Sequence, residues 1–317
     1  MRNNVRSFLV AVAVLRFISA ATAQVAASYV ITDHTTGYVL EAYKADEKRQ
    51  IASLTKIATG KVVLDWAERD GIDLSQQIVV PPQATADAGG VNPMGLQPND
   101  LISYRDLIYS ALMQSDNTAA STLGYYVGAA LRAHGGEGMR SLGAVEAFVS
   151  QMNALARQLG MERTLFLNPH GLEPARGARP YSTALDLAKL TAYAMKDAGF
   201  RFYVSQKERK VAFNRSGQVL QYLLRNTNQL LGSQGVDGVK TGSTARAGEC
   251  IIISSQHDPE ITQQGSTTLV TPRRLNIVIL GATDRLAAAS ELLNRGWSLY
   301  DRWAAAGRPM GNQASQR

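Results

Sequence analysis

Ser53 and Lys56 stand three residues apart in the stretch Gln50-Ile51-Ala52-Ser53-Leu54-Thr55-Lys56-Ile57. From Ala52 to Leu64 the residues are mostly Ala, Leu, Thr, Lys, Ile and Val, with one glycine and no proline, which predicts a helix entering the core. Positions i and i+3 of a helix share a face, so the serine hydroxyl comes within reach of the lysine amine. A neutral lysine there takes the serine proton, and the positive end of the helix favours the alkoxide that results. The plainer reading of the same pair is an N-cap serine with a solvated lysine one turn on. Two more polar groups bear on the choice. Ser115-Asp116-Asn117 separates two apolar, helix-compatible stretches, and Lys240-Thr241-Gly242 closes the β-rich run that begins at Val236. Each is common by itself; the three together ask for one explanation.

The elements that must position these groups follow from periodicity and turn chemistry. Ser28–Ile31 and Tyr38–Glu41 are β-rich runs around Asp33-His34-Thr35-Thr36-Gly37, which reads as a hairpin. The Ser53 helix continues to about Arg69 and stops at Asp70-Gly71. A short strand at Ile78–Val80 ends at Pro81-Pro82, and residues 83–100, rich in Ala, Gly, Asn and Pro, read as loop. Helices are predicted over Tyr104–Gln114, Thr118–Leu131, Val145–Leu159 and, capped by Ser182-Thr183, up to Met195. The glycine-rich run His134–Gly138 reads as a flexible insertion. Lys210–Phe213, Gly238–Lys240, Cys250–Ser255 and Leu275–Leu280 are β-rich, residues 256–274 read as a long exposed hairpin loop, and Ala287–Trp303 closes as an amphipathic helix. Strands therefore open and finish the chain while helices fill the middle. The expected class is α+β: an antiparallel sheet built from both chain ends and flanked by helices, with an inserted all-helical subdomain.

Composition narrows the function. With 317 residues, 45% hydrophobic and 19% charged, the chain is an ordinary globular one with a sizeable core. A net charge of +7 without a dense Lys/Arg run interleaved with aromatics excludes nucleic acid as a partner. Cys250 is the only cysteine, so no internal disulfide forms, and its apolar surroundings make it a packing residue. His34, His134, His170 and His257 are scattered, and no phosphate-cradling glycine loop is present, so neither a metal nor a cofactor is expected. Arg2 and Arg6, the apolar run Ser7–Leu15 and Ala21-Thr22-Ala23 fit an export signal over residues 1–23, with Arg16 as an irregularity. A catalytic domain is then expected over residues 24–306 and a polar tail over residues 307–317, with no transmembrane helix after signal removal. The expected location is the periplasm or cell-wall space.

In this order and setting, the three polar groups resemble the signature of serine β-lactamases and penicillin-binding proteins. Asn168-Pro169-His170-Gly171-Leu172, Tyr181-Ser182-Thr183-Ala184, Val236–Gly248 and Leu280-Gly281-Ala282 extend the resemblance to low-molecular-mass D-alanyl-D-alanine carboxypeptidases, over roughly residues 28–303. The resemblance implies that Ser53 is the nucleophile, Lys56 its general base and Lys240 the second cation that depresses the Lys56 pKa. Ser115 would carry a proton between the lysines and the leaving amine. Asn117 would hold Lys56 and the substrate amide. The Ser53 and Ser243 backbone N–H groups would form the oxyanion hole. Thr241 would meet the substrate's terminal carboxylate, Gly242 belongs to the same motif, and Arg285 would reach the carboxylate network.

The implied reaction removes the terminal D-alanine from peptidoglycan stem pentapeptides, with β-lactam antibiotics as covalent inhibitors. The same groups serve a D,D-endopeptidase that cuts cross-links, and the chain's end soon after Trp303 fits that alternative, because the C-terminal β-domain and amphipathic anchor common in the carboxypeptidases have no room. A non-catalytic penicillin- or peptidoglycan-binding module is the reading from another class. The chain departs from the pattern at Ile51, where proline is frequent, at Asp116, where glycine is usual, and at Ser243, where His or Thr often follows. Glu162-Arg163-Thr164-Leu165 only approximates the deacylation element of a class A β-lactamase, so Glu162 is expected at the surface.

Overall fold

The computed structural model describes residues 25–310, so the expected export segment, and residues 311–317 of the expected tail, lie outside the described residues. β1 (Ala26–Asp33) and β2 (Val39–Tyr43) form the expected hairpin at one edge of a five-stranded antiparallel sheet. The sheet is completed by β7 (Val236–Thr244), β8 (Gly248–Gln264) and β9 (Thr267–Ala282), in the order β2-β1-β9-β8-β7. Both chain ends therefore meet in one sheet, as the expected class requires.

Period-two alternation assigns the strand residues to two separate cores. On one face Tyr29, Ile31, Ile251, Ile253, Leu275, Ile277 and Ile279 pack against Leu292, Leu293, Trp297 and Tyr300 of α9 (Arg285–Ala305). Gly296 lets that helix approach, since a Cβ there would lie 3.1 Å from Ile31 Cγ2. On the other face Val30, Cys250, Ile252, Val278 and Leu280 join the core of the helical lobe. Each fully buried Ile, Leu or Val contributes on the order of 1.5–3 kcal/mol, so the doubly covered sheet is the firmest frame available. β7 carries a bulge between Val236 and Gly238: Val236 pairs with Ser255, and Gly238 already with Ser254.

The lobe contains α1 (Lys56–Asp70), α3 (Tyr104–Met113), α4 (Asn117–His134) and α6 (Ala144–Gln158), with α7 (Ala184–Ala194) and α8 (Ala198–Ser205) between it and the sheet. Local signals account for the boundaries. Gly71 ends α1 in a left-handed conformation, φ 66°. The hydroxyls of Ser103 and Thr183 accept hydrogen bonds from the backbone N–H groups of Asp106 and Asp186, capping α3 and α7.

Four regions differ from the sequence expectation. Residues 83–100 are not loop throughout, because Pro82 opens a short helix α2 (Pro82–Asp87). His134 ends α4, and Glu137–Arg140 forms a further turn, α5, so the glycine-rich run is a helix junction. Residues 256–274 are not a loop: β8 and β9 continue as a two-stranded ribbon that turns at Gly265, with Ile261 opposite Val270 and Thr262 opposite Leu269. Polar β-formers suffice there, since each strand satisfies the other's backbone. Lys210–Phe213 belongs to a second sheet, order β3-β4-β5-β6, formed by β3 (Gln77–Val79), β4 (Leu101–Ser103), β5 (Glu208–Arg215) and β6 (Gln218–Arg225). Arg215 ties it to the preceding loop through the buried carboxylate of Asp100, at 2.7 and 2.8 Å.

The tightest helix crossing lies at Gly128, where an added Cβ would fall 1.9 Å from the backbone oxygen of Ala144. Backbone cannot step aside as a side chain does. Gly128→Ala is expected to destabilise the protein by about 1–3 kcal/mol, the usual cost of overpacking, read as a lower urea midpoint with an unchanged m-value.

Candidate active site

Ser53 does not sit in the first turn of an α-helix. Ala52–Thr55 is a 3₁₀ turn, and α1 begins at Lys56. Residues i and i+3 of a 3₁₀ turn eclipse one another, which stacks Lys56 over Ser53 more directly than an α-turn does. Lys56 Nζ lies 3.0 Å from Ser53 Oγ. The chain enters this turn through Ala52 at φ 47°, left-handed for a residue with a Cβ, a conformation costing roughly 1–2 kcal/mol. Gly171 closes over it: a Cβ on that glycine would lie 2.0 Å from Ala52 O and 2.6 Å from Thr55 Oγ1.

Lys56 is fully buried and its amine lies among oxygens. Besides Ser53 Oγ, it donates to Asn117 Oδ1 at 2.6 Å and to the backbone oxygen of His170 at 2.9 Å. Asn117 is fixed in turn by Nδ2 on Ala88 O, 2.8 Å, and by its own N–H on Val91 O, 2.8 Å. His170 is presented by the loop 168–172, where Asn168 Oδ1 accepts from the His170 and Gly171 N–H groups and Asn168 Nδ2 donates to Leu172 O. Burial first, and then the Lys56 side chain beside it, lower the His170 pKa to about 3, so its ring is neutral.

Burial, followed by the Lys240 charge, holds the Lys56 amine well below the usual lysine range, against the pull of the Asp116 carboxylate. Lys240 is itself buried, donates to Thr241 O at 2.9 Å, and is brought down to about 7 by burial and the Arg285 guanidinium. The structure therefore supplies what a neutral general base needs: a dry site, a second cation, and fixed acceptors for the two N–H bonds it retains.

β7 passes close behind the serine. A Cβ on Gly242 would lie 3.0 Å from the Ser53 backbone N and 3.2 Å from Leu54 N, so any larger residue would make the turn give by a few tenths of an ångström. Ser243 follows it, exposed. Thr241, nearly buried, shares a 2.6 Å hydroxyl contact with Thr227. Arg285 Nη1 donates to Gly242 O at 3.0 Å while Nη2 reaches Glu249 Oε1 at 3.4 Å, so this arginine supports the strand from its outer end.

Ser53, Lys56, Asn117, Lys240, Thr241, Gly242, Ser243 and Arg285 thus come to one place. Ser115 sits beside Asn117 in the corner between α3 and α4, at φ 68°, half-buried, and its hydroxyl has no hydrogen-bond partner among the described residues. Glu162 is exposed, in a groove it shares with His34, Asp46 and Lys189, whose lining includes none of these site residues.

Sequence reasoning left Asp116 only as a departure. Its buried carboxylate caps α4 through Ala119 N at 3.0 Å and accepts from Ser110 Oγ at 3.1 Å, and burial raises its pKa. The His170 carbonyl was equally hidden, since a backbone acceptor leaves no residue-type signal; Gly171 was the visible trace of it.

Residues 16–262 match the family described as D-alanyl-D-alanine carboxypeptidase, peptidase S11. The chain belongs to this family. It is 34% identical over 285 residues to D-alanyl-D-alanine carboxypeptidase DacC of Escherichia coli strain K12, covering 87% of this chain and 62% of that protein. A D-alanyl-D-alanine endopeptidase of Pseudomonas aeruginosa is 32% identical over 228 residues, covering 71% of this chain and 66% of the relative. The chain thus spans just under two thirds of the length of these relatives. Among solved structures, the Streptomyces K15 DD-transpeptidase superposes with a TM-score of 0.71 at 25% identity, covering 86% of this chain and 97% of the other. Penicillin-binding protein D2 of Listeria monocytogenes, in its cefotaxime-bound form, gives 0.65 at 25% identity, with 86% and 97% covered. The family fold accounts for the sheet and lobe described above.

Two outcomes follow from the geometry. Gly242→Ala pushes on the Ser53 and Leu54 amides without touching a reacting atom; acylation by a fluorescent penicillin is expected to fall by about 100-fold or more, with a melting temperature near that of the wild type. Asp116→Asn keeps a cap and an acceptor for Ser110 but removes the charge that favours protonated Lys56. If Lys56 acts as the neutral base that takes the Ser53 proton, the rate falls as pH drops through its lowered pKa. In the variant that acid limb is expected to move to lower pH, measured as the acylation rate across a pH series.

Proposed function

We propose that the chain is a serine D-alanyl-D-alanine carboxypeptidase acting on peptidoglycan stem pentapeptides. One observation carries the reading: Ser53 Oγ and Lys56 Nζ are 3.0 Å apart, and burial and Lys240 hold the pKa of that amine well below the usual lysine range. Membership of the family, and the carboxypeptidase name of the Escherichia coli relative, support it.

In the proposed reaction Lys56 accepts the Ser53 proton as Oγ attacks the carbonyl of the penultimate D-alanine. The backbone N–H groups of Ser53 and Ser243 receive the oxyanion, and Thr241 and Lys240, with Arg285 behind them, attract the terminal carboxylate. Collapse breaks the peptide bond, and the departing D-alanine nitrogen takes the proton from Lys56 by way of Ser115. Water then adds to the acyl ester, returning the proton to Ser53 and releasing the shortened peptide. A β-lactam follows the first half and leaves a slowly hydrolysed ester, since Glu162 offers no deacylating base. Export to the cell envelope fits this substrate; no helix among the described residues is long and apolar enough to cross a membrane.

The endopeptidase names of the Pseudomonas aeruginosa relative and of a second relative from Escherichia coli, 31% identical, favour cross-link cleavage as the second reading. The reactive groups argue against a mere binding module, which has no use for a buried lysine of lowered pKa beside a serine.

Incubating purified protein with a stem pentapeptide, and separately with a cross-linked dimer, distinguishes these readings by product mass. Loss of one alanine, abolished in Ser53→Ala, is the expected result. Cleavage of the dimer alone would transfer the function to the endopeptidase, and a Ser53 that no penicillin labels would rule out the enzyme altogether.

A further inference from the structure

Thr227 has no part in the reaction described above, yet the chain fixes it with unusual care. It is the middle residue of Asn226-Thr227-Asn228, on the connection from β6 to β7. Both asparagines are consumed by backbone. Asn226 Nδ2 donates to Val204 O at 3.1 Å and Gln206 O at 3.0 Å, its N–H reaches Lys207 O at 2.8 Å, and its Oδ1 accepts from Asn228 N. Asn228, buried, donates from Nδ2 to Gly238 O at 2.9 Å, two residues before Lys240. The threonine between them is exposed, and its hydroxyl lies 2.6 Å from that of Thr241. Its backbone N–H donates to Met113 O at 3.0 Å, two residues before Ser115, and its hydroxyl reaches the same oxygen at 3.3 Å.

Counting protons shows what this pair can do. Two hydroxyls 2.6 Å apart place one proton between them, and the direction of that bond decides what Thr241 presents. If Thr227 donates to Met113 O, Thr241 must donate to Thr227, and only lone pairs face the cleft. If Thr227 donates to Thr241, the Thr241 proton is released towards the cleft. The second arrangement gives up only the long 3.3 Å bond, because Met113 O keeps the Thr227 N–H. An arriving carboxylate favours the second arrangement, and a hydroxyl that accepts one hydrogen bond is a better donor of the next.

We propose that Thr227 is a positioning residue for carboxylate recognition: its hydroxyl orients the Thr241 hydroxyl as a donor to the C-terminal carboxylate of the substrate. The inference rests on the peptidase reading given above, and it deepens that reading by assigning part of the preference for a free carboxyl end to a residue outside the three motifs.

The test compares acylation rate constants for benzylpenicillin and for its methyl ester, in the wild type and in Thr227→Val, Thr227→Ala and Thr227→Ser. Removing the hydroxyl should slow acylation by the acid roughly tenfold, the order expected for a lost hydrogen bond to a charged group, and leave the ester within about twofold. Thr227→Ser should restore the acid rate. With a stem pentapeptide the Thr227→Val loss should appear in KM, with kcat maintained. An equal loss on acid and ester in both Val and Ala variants would show a merely structural role and overturn the proposal, as would an unchanged ratio. A wild-type protein acylated by neither compound would overturn the peptidase reading itself, which separates the two failures.

Discussion

Holding a lysine amine in the protein interior, next to a serine and with its proton affinity reduced, is the constraint on which the remaining structure depends. A lysine ammonium in a dry site is disfavoured by lost hydration, and a second lysine nearby disfavours it further. Neither effect alone makes a base of defined geometry. The amine must also be held, and every acceptor that holds it must be neutral, or the charge would return. Asn117 Oδ1 and the His170 carbonyl meet that requirement. Among the described residues the anion that acts on it, Asp116, faces the α4 N-terminus and Ser110, so that much of its charge is spent there. Arg285 and Lys240 extend the same logic along β7, each cation lowering the proton affinity of the next inward.

Such a site is unfavourable to assemble, and the frame around it explains how it persists. The doubly covered sheet and the apolar lobe flank the 3₁₀ turn, the left-handed Ala52 is trapped beneath Gly171, and Gly242 brings β7 against Ser53. Strain held in this way needs a surround that over-determines it. The glycines matter here as distances: each marks a place where two backbones must approach more closely than any side chain permits.

How much of this was legible in the sequence depends on where the information lies. The Ser53–Lys56 pairing, the cap at Thr183 and the closing helix α9 are written in spacing and residue type, so they could be read locally. The 3₁₀ turn could not, because its two extra contacts come from residues 171 and 242. The 256–274 ribbon is hidden for a different reason: its residues are polar, and polar composition suits a loop equally well, although a ribbon satisfied by its own ladder needs no core. The second sheet draws on strands separated by more than a hundred residues, two of them only three residues long. Asn226-Thr227-Asn228 looks like any polar turn until its distant partners, the backbone oxygens of Met113, Val204 and Gly238 and the Thr241 hydroxyl, are seen.

The bulge in β7 bears on all of this in a way that concerns counting rather than contact. Directly opposed residues of an antiparallel pair point to the same face, so Val236, opposite Ser255, faces α9, while Lys240 and Gly242, opposite Ile252 and Cys250, face the lobe. In a strand paired regularly through every residue, positions 236, 240 and 242 would share one side. Asp237 is the extra residue of the bulge, and its carboxylate is gripped by Arg274 at 2.7 and 2.8 Å. It touches none of the reacting groups, yet it sets the phase of the strand. Drawing Asp237 into regular pairing, with every motif intact, would shift each later residue by one partner and deliver the second lysine to the wrong side of the sheet.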